Sequence, residues 1–390
     1  MESKKHKESY RLPSLDLLDP LPSAAEKPSK EDMLAQSEIL ARKLMDYDIQ
    51  GYVTQVYLGP VLTRFEYLPA PKTRVQKIID LSGELARAMK AENIFIVTPL
   101  PGTTAVGIDV QNNTREMVYF RQIIESPEYI CHKLKLKVPL GKDVFGQSVV
   151  SRIDKMPNLL VAGAIGSGKS VMINSIIMGL LYNAQPDELK LVLIDPKIPG
   201  LTIYNEIPHL LTPVVTRPKR AAETLRAIWV EMDRRYQLFD VKGVRNIDSY
   251  NKSAPERERL PYIVVIINEL ADLMRIVQSS LEDSIMRLAN LGQKAGIHVI
   301  MSSRQSNLDI FTSLSKANLA TRISFQVSSK ADSCAFLGVN GAEKLLGRGD
   351  MLFLLPGRVH TIRMHGCFVS DEEIKRVVEF HQKQFQIFAS

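Results

Sequence analysis

Five short apolar runs mark the chain from about Cys131 onward: Asn158 to Ala162, Lys190 to Asp195, Tyr262 to Asn268, His298 to Ser303 and Arg322 to Val327. Each has the length of a strand, and helix-like segments separate them. This alternation predicts an α/β region with a parallel sheet covered by helices. Lys169 to Tyr182 is apolar almost all round, as a helix buried against such a sheet should be. Further on, Met351 to Leu355 and His360 to Met364 flank Pro356-Gly357 and predict a hairpin. Ahead of this region a different pattern runs from strand-like Thr63 to Tyr67, through helical Val75 to Met89, to strand-like Ile94 to Val97 and a turn at Pro101-Gly102. It predicts a small α+β unit. The first 32 residues are rich in Lys, Glu, Ser and Pro around a single apolar cluster, Leu12 to Leu21. They read as a mostly disordered arm with one docking segment. The expected division is therefore an arm and docking segment over 1–50, a small α+β domain over 51–130 and a P-loop α/β domain over 131–390.

Composition adds little to this division but narrows the partners. A chain of 390 residues that is 45% hydrophobic has room for two or three cores. Its 50 Lys and Arg against 43 Asp and Glu leave a net charge of +7, which fits an acidic partner such as nucleic acid. Cys131, Cys334 and Cys367 are odd in number, widely spaced and without a C-x-x-C pair, so neither a disulfide framework nor a zinc site is expected. No apolar run reaches the roughly 18 to 20 residues that span a bilayer, and the Lys4, Lys5 and Lys7 cluster lacks the apolar stretch of a signal peptide. A soluble, cytoplasmic protein is expected.

The strongest chemical signal is Gly163-Ala164-Ile165-Gly166-Ser167-Gly168-Lys169-Ser170, which follows an apolar strand and opens a helix. Glycines let backbone N–H groups converge on phosphate oxygens, and the helix N-terminus adds partial positive charge. Lys169 is placed to reach the β and γ phosphates, and Ser170 to ligate Mg²⁺. The expected nucleotide-binding set is this loop with Val171 behind it, and the expected cofactors are ATP and Mg²⁺. An acidic strand end is needed beside such a loop, and Ile263 to Glu269 supplies it. Its first polar residue is the neutral Asn268, which holds a metal shell less strongly than a carboxylate. Glu269 is the expected general base that orients water. Asp195 ends another strand; the sequence leaves open whether it serves the site or caps a turn.

Beyond the loop, Leu12 to Leu18, Gly59 to Glu66, Ile207 to Leu211, Glu231 to Tyr236, Gly296 to His298, Lys316 to Asn318 and Gly347 to Met351 follow one another as successive blocks. In that order they resemble the FtsK/SpoIIIE family of DNA translocases. The resemblance implies a small α domain stacked on a RecA-like β domain, with six subunits in a homo-hexameric ring around double-stranded DNA and ATP between neighbours. Family members usually carry membrane helices or a long linker before such a motor, and many carry a winged-helix module after it; this chain is expected to lack both. At three places the chain departs from the family pattern. Asn268 stands where the family has an acidic residue, Gln293 where it has a trans-acting arginine, and Ser303-Arg304-Gln305-Ser306 where it reads Thr-Gln-Arg-Pro. A slow ATPase, or a degenerate ring subunit that regulates an active homologue, is therefore the alternative reading. The resemblance also implies DNA contacts at positions that align with Gln305, Lys316, Lys330 and Cys334, with Arg304 as an added charge. The basic helix Arg217 to Asp240 carries Arg on all sides and reads as a solvated or subunit-facing surface.

Overall fold

The computed structural model describes residues 10–22, 29–100, 102–131, 135–156, 158–197, 200–304, 319–358 and 360–389. Strands β1 (Gly51–Leu58), β2 (Leu62–Pro69), β3 (Ile94–Val97) and β4 (Val106–Gln111) form an antiparallel sheet in the order β1-β2-β4-β3. Helix α1 (Lys30–Met45) joins it. Its Leu40 and Leu44 are fully buried in one apolar cluster with Phe65, Tyr67, Ile78 and Leu85. Ser29 and Asp32 close a reciprocal capping box at its start. The arm expected over 1–50 therefore ends sooner, because a helix with few buried positions looks solvated in sequence. The helix expected from Val75 to Met89 is two, α2 (Val75–Asp80) and α3 (Ser82–Ala88), parted at Leu81. Of the expected turn, Pro101 lies outside the described residues, and Gly102 has φ 76°.

Among the described residues the larger sheet has nine strands in the order β6-β5-β13-β12-β11-β7-β10-β9-β8. Five of them, β7 (Leu159–Ala162), β8 (Leu189–Ile194), β9 (Tyr262–Ile267), β10 (Ile297–Ser303) and β11 (Thr321–Phe325), are the predicted apolar runs, and they pair in parallel. The sheet is nevertheless mixed. The predicted hairpin is β12 (Asp350–Leu354) with β13 (Ile362–Gly366), and beyond it β5 (Lys137–Asp143) and β6 (Ser148–Arg152) extend an antiparallel wing. Helix α4 (Lys169–Leu181) follows β7 and is buried along most of its length, while α5 (Pro218–Lys242) and α6 (Leu270–Leu291) pack on each other.

The docking segment lies on this larger unit. Leu18 enters its core, Arg376 of the C-terminal helix α8 (Asp371–Ala389) donates to the Leu17 carbonyl at 2.7 Å, and Arg11 and Gln384 exchange two hydrogen bonds. The two units meet through Val61, Leu62 and Val144, and the Arg363 guanidinium lies 3.9 Å from the Phe95 ring centroid.

Candidate nucleotide site

Parallel pairing brings four strand ends to one edge. Ser303 of β10 is level with Ala162 of β7, Met301 with Ile267 of β9, and Ile267 with Ile194 of β8. The residues immediately beyond those ends, Gly163, Arg304, Asn268-Glu269 and Asp195, therefore gather outside the carboxyl ends of the strands, where open α/β sheets bind ligands.

The loop after β7 is shaped by its glycines. Gly163, Gly166 and Gly168 have φ of 153°, 77° and 115°, values that favour glycine. A Cβ on Gly168 would stand 2.8 Å from the Gly349 nitrogen, whose N–H donates to the Ser167 carbonyl at 2.9 Å. Across the loop, Ala164 N–H donates to the Gln326 carbonyl at 2.8 Å. Helix α4 begins at Lys169, so its N-terminal N–H groups and dipole face the loop. Ser170, at the same helix start, is exposed.

Lys169 is buried, and its Nζ lies 2.6 Å from Oε1 of Glu269, which is only 3% exposed. Two more cations share that carboxylate: Lys197 Nζ at 3.3 Å from Oε1, and Arg304 Nε donating to Oε2 at 2.9 Å. Arg304 Nη2 also donates to Asp272 Oδ2 at 2.9 Å. Burial works to raise the Glu269 carboxyl, but the hydrogen bond and charge of Lys169, with Lys197 and Arg304, outweigh it and hold it below its ordinary value. Burial lowers the Lys169 ammonium against the opposing pull of Glu269. Glu269 has φ 55°, an unusual conformation for a side chain of its size, and its N–H donates to Ser302 Oγ at 3.1 Å.

Asn268 is held on both sides. Ser302 Oγ donates to its Oδ1 at 2.6 Å, and its Nδ2 donates to Asp195 Oδ2 at 3.1 Å. Asp195 also accepts from the Lys197 and Leu201 N–H groups, both at 3.0 Å, and so caps a turn and orients Asn268 at once. Gly200 allows this closeness, since a Cβ there would fall 2.1 Å from Asp195 Oδ2.

The donor set fits Mg²⁺. The Ser170 hydroxyl, the Asn268 carbonyl and the Asp195 carboxylate are hard oxygen ligands. Among the described residues no group of three or more His, Cys, Asp or Glu could hold a metal ion. Such a sparse set suits an ion that is held largely by nucleotide phosphates.

The other expected site residues lie apart. Gln293 sits in the turn Gly292–Ala295 that leads into β10, so it stands at the opposite edge, about 20 Å from the phosphate loop at 3.3 Å per strand residue. Its Nε2 donates to the Asp154 carbonyl at 3.0 Å. Arg235, read as part of a solvated helix surface, is instead 1% exposed. It donates to Glu231 at 2.8 Å and to the Ala295 carbonyl at 2.8 Å, which fixes the turn that carries Gln293. Lys330 is exposed at the start of α7 (Lys330–Leu337) and Cys334 is exposed one turn on, whereas Gln305 and Lys316 lie outside the described residues. Arg304, grouped with these in sequence, joins the phosphate-loop cluster.

Family models match most of the chain. The FtsK/SpoIIIE family model covers residues 119–307 and the FtsK alpha domain model residues 12–112. The chain is 46% identical over 389 residues to a protein of Sporosarcina ureae named DNA translocase FtsK, covering 97% of this chain and 50% of that one. It is 44% identical over 378 residues to DNA translocase SpoIIIE of Bacillus subtilis, covering 95% and 48%. The chain thus spans about half the length of the curated relatives it matches. In fold it is similar to the monomer of the pCW3 conjugation coupling protein TcpA, with TM-score 0.61, 20% identity, and coverage of 89% of this chain and 99% of that one. The cytoplasmic domain of the Thermomonospora curvata type VII secretion ATPase EccC gives TM-score 0.56 at 22% identity, covering 63% and 31%. These likenesses show a P-loop ATPase fold.

Proposed function

Since the chain belongs to the FtsK/SpoIIIE family, we propose that it is a motor that couples ATP hydrolysis to the movement of double-stranded DNA. The observation that carries this reading is the direct contact of the P-loop Lys169 with the strand-end carboxylate Glu269. It joins a phosphate-binding group to a water-orienting group in one buried cluster.

Bound ATP offers phosphate oxygens that compete with Glu269 for Lys169. As Lys169 turns to the β and γ phosphates, Glu269 is left to accept a hydrogen bond from the attacking water. Ser170, with Asn268 and Asp195 near by, would hold Mg²⁺, which would supply positive charge to offset that of the nucleotide phosphates. Gln293, on the far edge of the sheet, would serve a neighbouring subunit's nucleotide in a homo-hexameric ring, and not its own. Lys316 and Lys330 are the proposed contacts to the DNA backbone, which carry affinity without base sequence.

The test is displacement of a third strand from a linear duplex by the purified chain with MgATP. Loss of displacement in Lys169→Ala and with ADP supports the reading; no displacement by the wild type under conditions where it binds DNA removes it. A second reading, a ring subunit that binds nucleotide but hardly hydrolyses it, is favoured by the neutral Asn268 at the strand end.

A further inference from the structure

We propose that Arg304 is the cation that meets the γ-phosphate of the nucleotide in its own subunit, a role no arginine at position 293 is present to fill in trans. The inference rests on the ATPase reading above and adds a residue to it. β10 is inserted between the phosphate-loop strand β7 and the Glu269 strand β9, so its C-terminal end opens between the two. Arg304 is the first residue beyond that end. Its Nε is 2.9 Å from Glu269 Oε2, while Lys169 Nζ is 2.6 Å from the other oxygen of the same carboxylate. The guanidinium and the P-loop ammonium therefore flank one anionic point from two sides. Lys197 makes a third cation there. Three cations around one buried carboxylate form a cluster suited to an arriving polyanion.

The guanidinium is also placed to move. Its side chain is 26% exposed, and Asp272, in the first turn of α6, holds its Nη2. With Asp272 as the pivot, the Nε end can leave Glu269 for a phosphate oxygen, as Lys169 does. In hydrolysis the water oxygen bonds to the γ-phosphorus and the bond to the β–γ bridging oxygen breaks. ADP leaves with that electron pair, and the water proton passes to Glu269 and then to solvent or phosphate. Charge gathers on the γ-phosphoryl oxygens and the bridging oxygen as this happens, and a fixed guanidinium stabilises it.

The test uses the whole chain with saturating duplex DNA, as wild type, Arg304→Gln and Arg304→Lys. Three quantities are measured: MgATP turnover, duplex affinity, and MgADP affinity with and without aluminium fluoride, which mimics the planar phosphoryl group. Arg304→Gln is expected to lose about a thousand-fold in kcat, the low end of what an arginine that meets the γ-phosphate contributes. It should bind MgADP within about two-fold of wild type and lose the tightening that aluminium fluoride gives, with Arg304→Lys intermediate. Retained binding of MgADP shows that the variant is folded. The proposal is overturned if Arg304→Gln keeps the wild-type tightening by aluminium fluoride, whether kcat is kept or falls. A fall in kcat alone would mean that Arg304 only positions Glu269. A loss confined to duplex affinity overturns it as well and assigns Arg304 to the DNA track. A wild type with no turnover at all would remove the ATPase reading, while the fluoride measurement still decides the role of Arg304.

Discussion

The ammonium of Lys169 and the carboxylate of Glu269 stand 2.6 Å apart in a buried pair, one from the phosphate loop and the other from the end of a strand two positions away in the sheet. Each is the charge the other needs while no phosphate competes. Removal of one partner strands the other in a poorly solvated place.

Lys169→Met is therefore expected to destabilise the nucleotide-free protein by roughly 3 kcal/mol, the scale for breaking a buried ion pair. Lys169→Met with Glu269→Gln should recover most of that loss, because neither charge is then left alone. Urea unfolding of the four proteins of this cycle measures the coupling. Additive losses would show that Lys197 and Arg304 already satisfy Glu269.

How much of this arrangement can be read from the sequence depends on where its physical cause lies. The phosphate loop is legible because its glycine spacing is itself the chemistry. β7 to β11 are legible because strands buried on both faces are continuous apolar runs. β6 is missed because all its positions are half-buried, and β5 because its apolar residues are mixed with Lys, Gly and Asp. Helix α1 is missed because only Leu40 and Leu44 are buried within its described length. Arg304 is illegible for a different reason. Its place beside Glu269 follows from β10 lying between β7 and β9, and strand order leaves no periodic mark on a sequence.

Asn268→Asp tests the amide at the strand end. A carboxylate there would face Asp195 Oδ2 across the present 3.1 Å contact, and two carboxylates that close repel. The variant is expected to be about 2 kcal/mol less stable than wild type without metal. MgADP should raise its melting temperature by more than that of wild type, because the added carboxylate gains a cation. Equal metal-free stability would show that Asp195 does not set the preference for an amide.

Buried histidines predict an acid-sensitive fold. Burial holds His209 and His298 at about 4, below the ordinary 6.5, so the folded protein keeps both neutral. An unfolded chain takes up those protons first, so their contribution is full above pH 6.5 and is lost as pH falls toward 4. The loss is about 2 kcal/mol for each histidine at pH 5. Glu269, held below its ordinary carboxyl range, adds to the loss only at lower pH. His298 is the better probe, since neither ring nitrogen has a partner among the described residues. His298→Leu should flatten the fall in urea midpoint between pH 7 and 5 without lowering the midpoint at pH 5. An unchanged slope would assign the acid sensitivity elsewhere.

The central claim is that the Lys169–Glu269 cluster is a working ATPase site coupled to DNA. Steady-state MgATP turnover with and without linear duplex DNA tests it most directly. The account predicts turnover that rises with DNA, whatever its sequence, and is absent in Lys169→Ala and Glu269→Gln. Turnover no greater than that of Lys169→Ala at saturating DNA would contradict it and leave a nucleotide-binding subunit that does not hydrolyse.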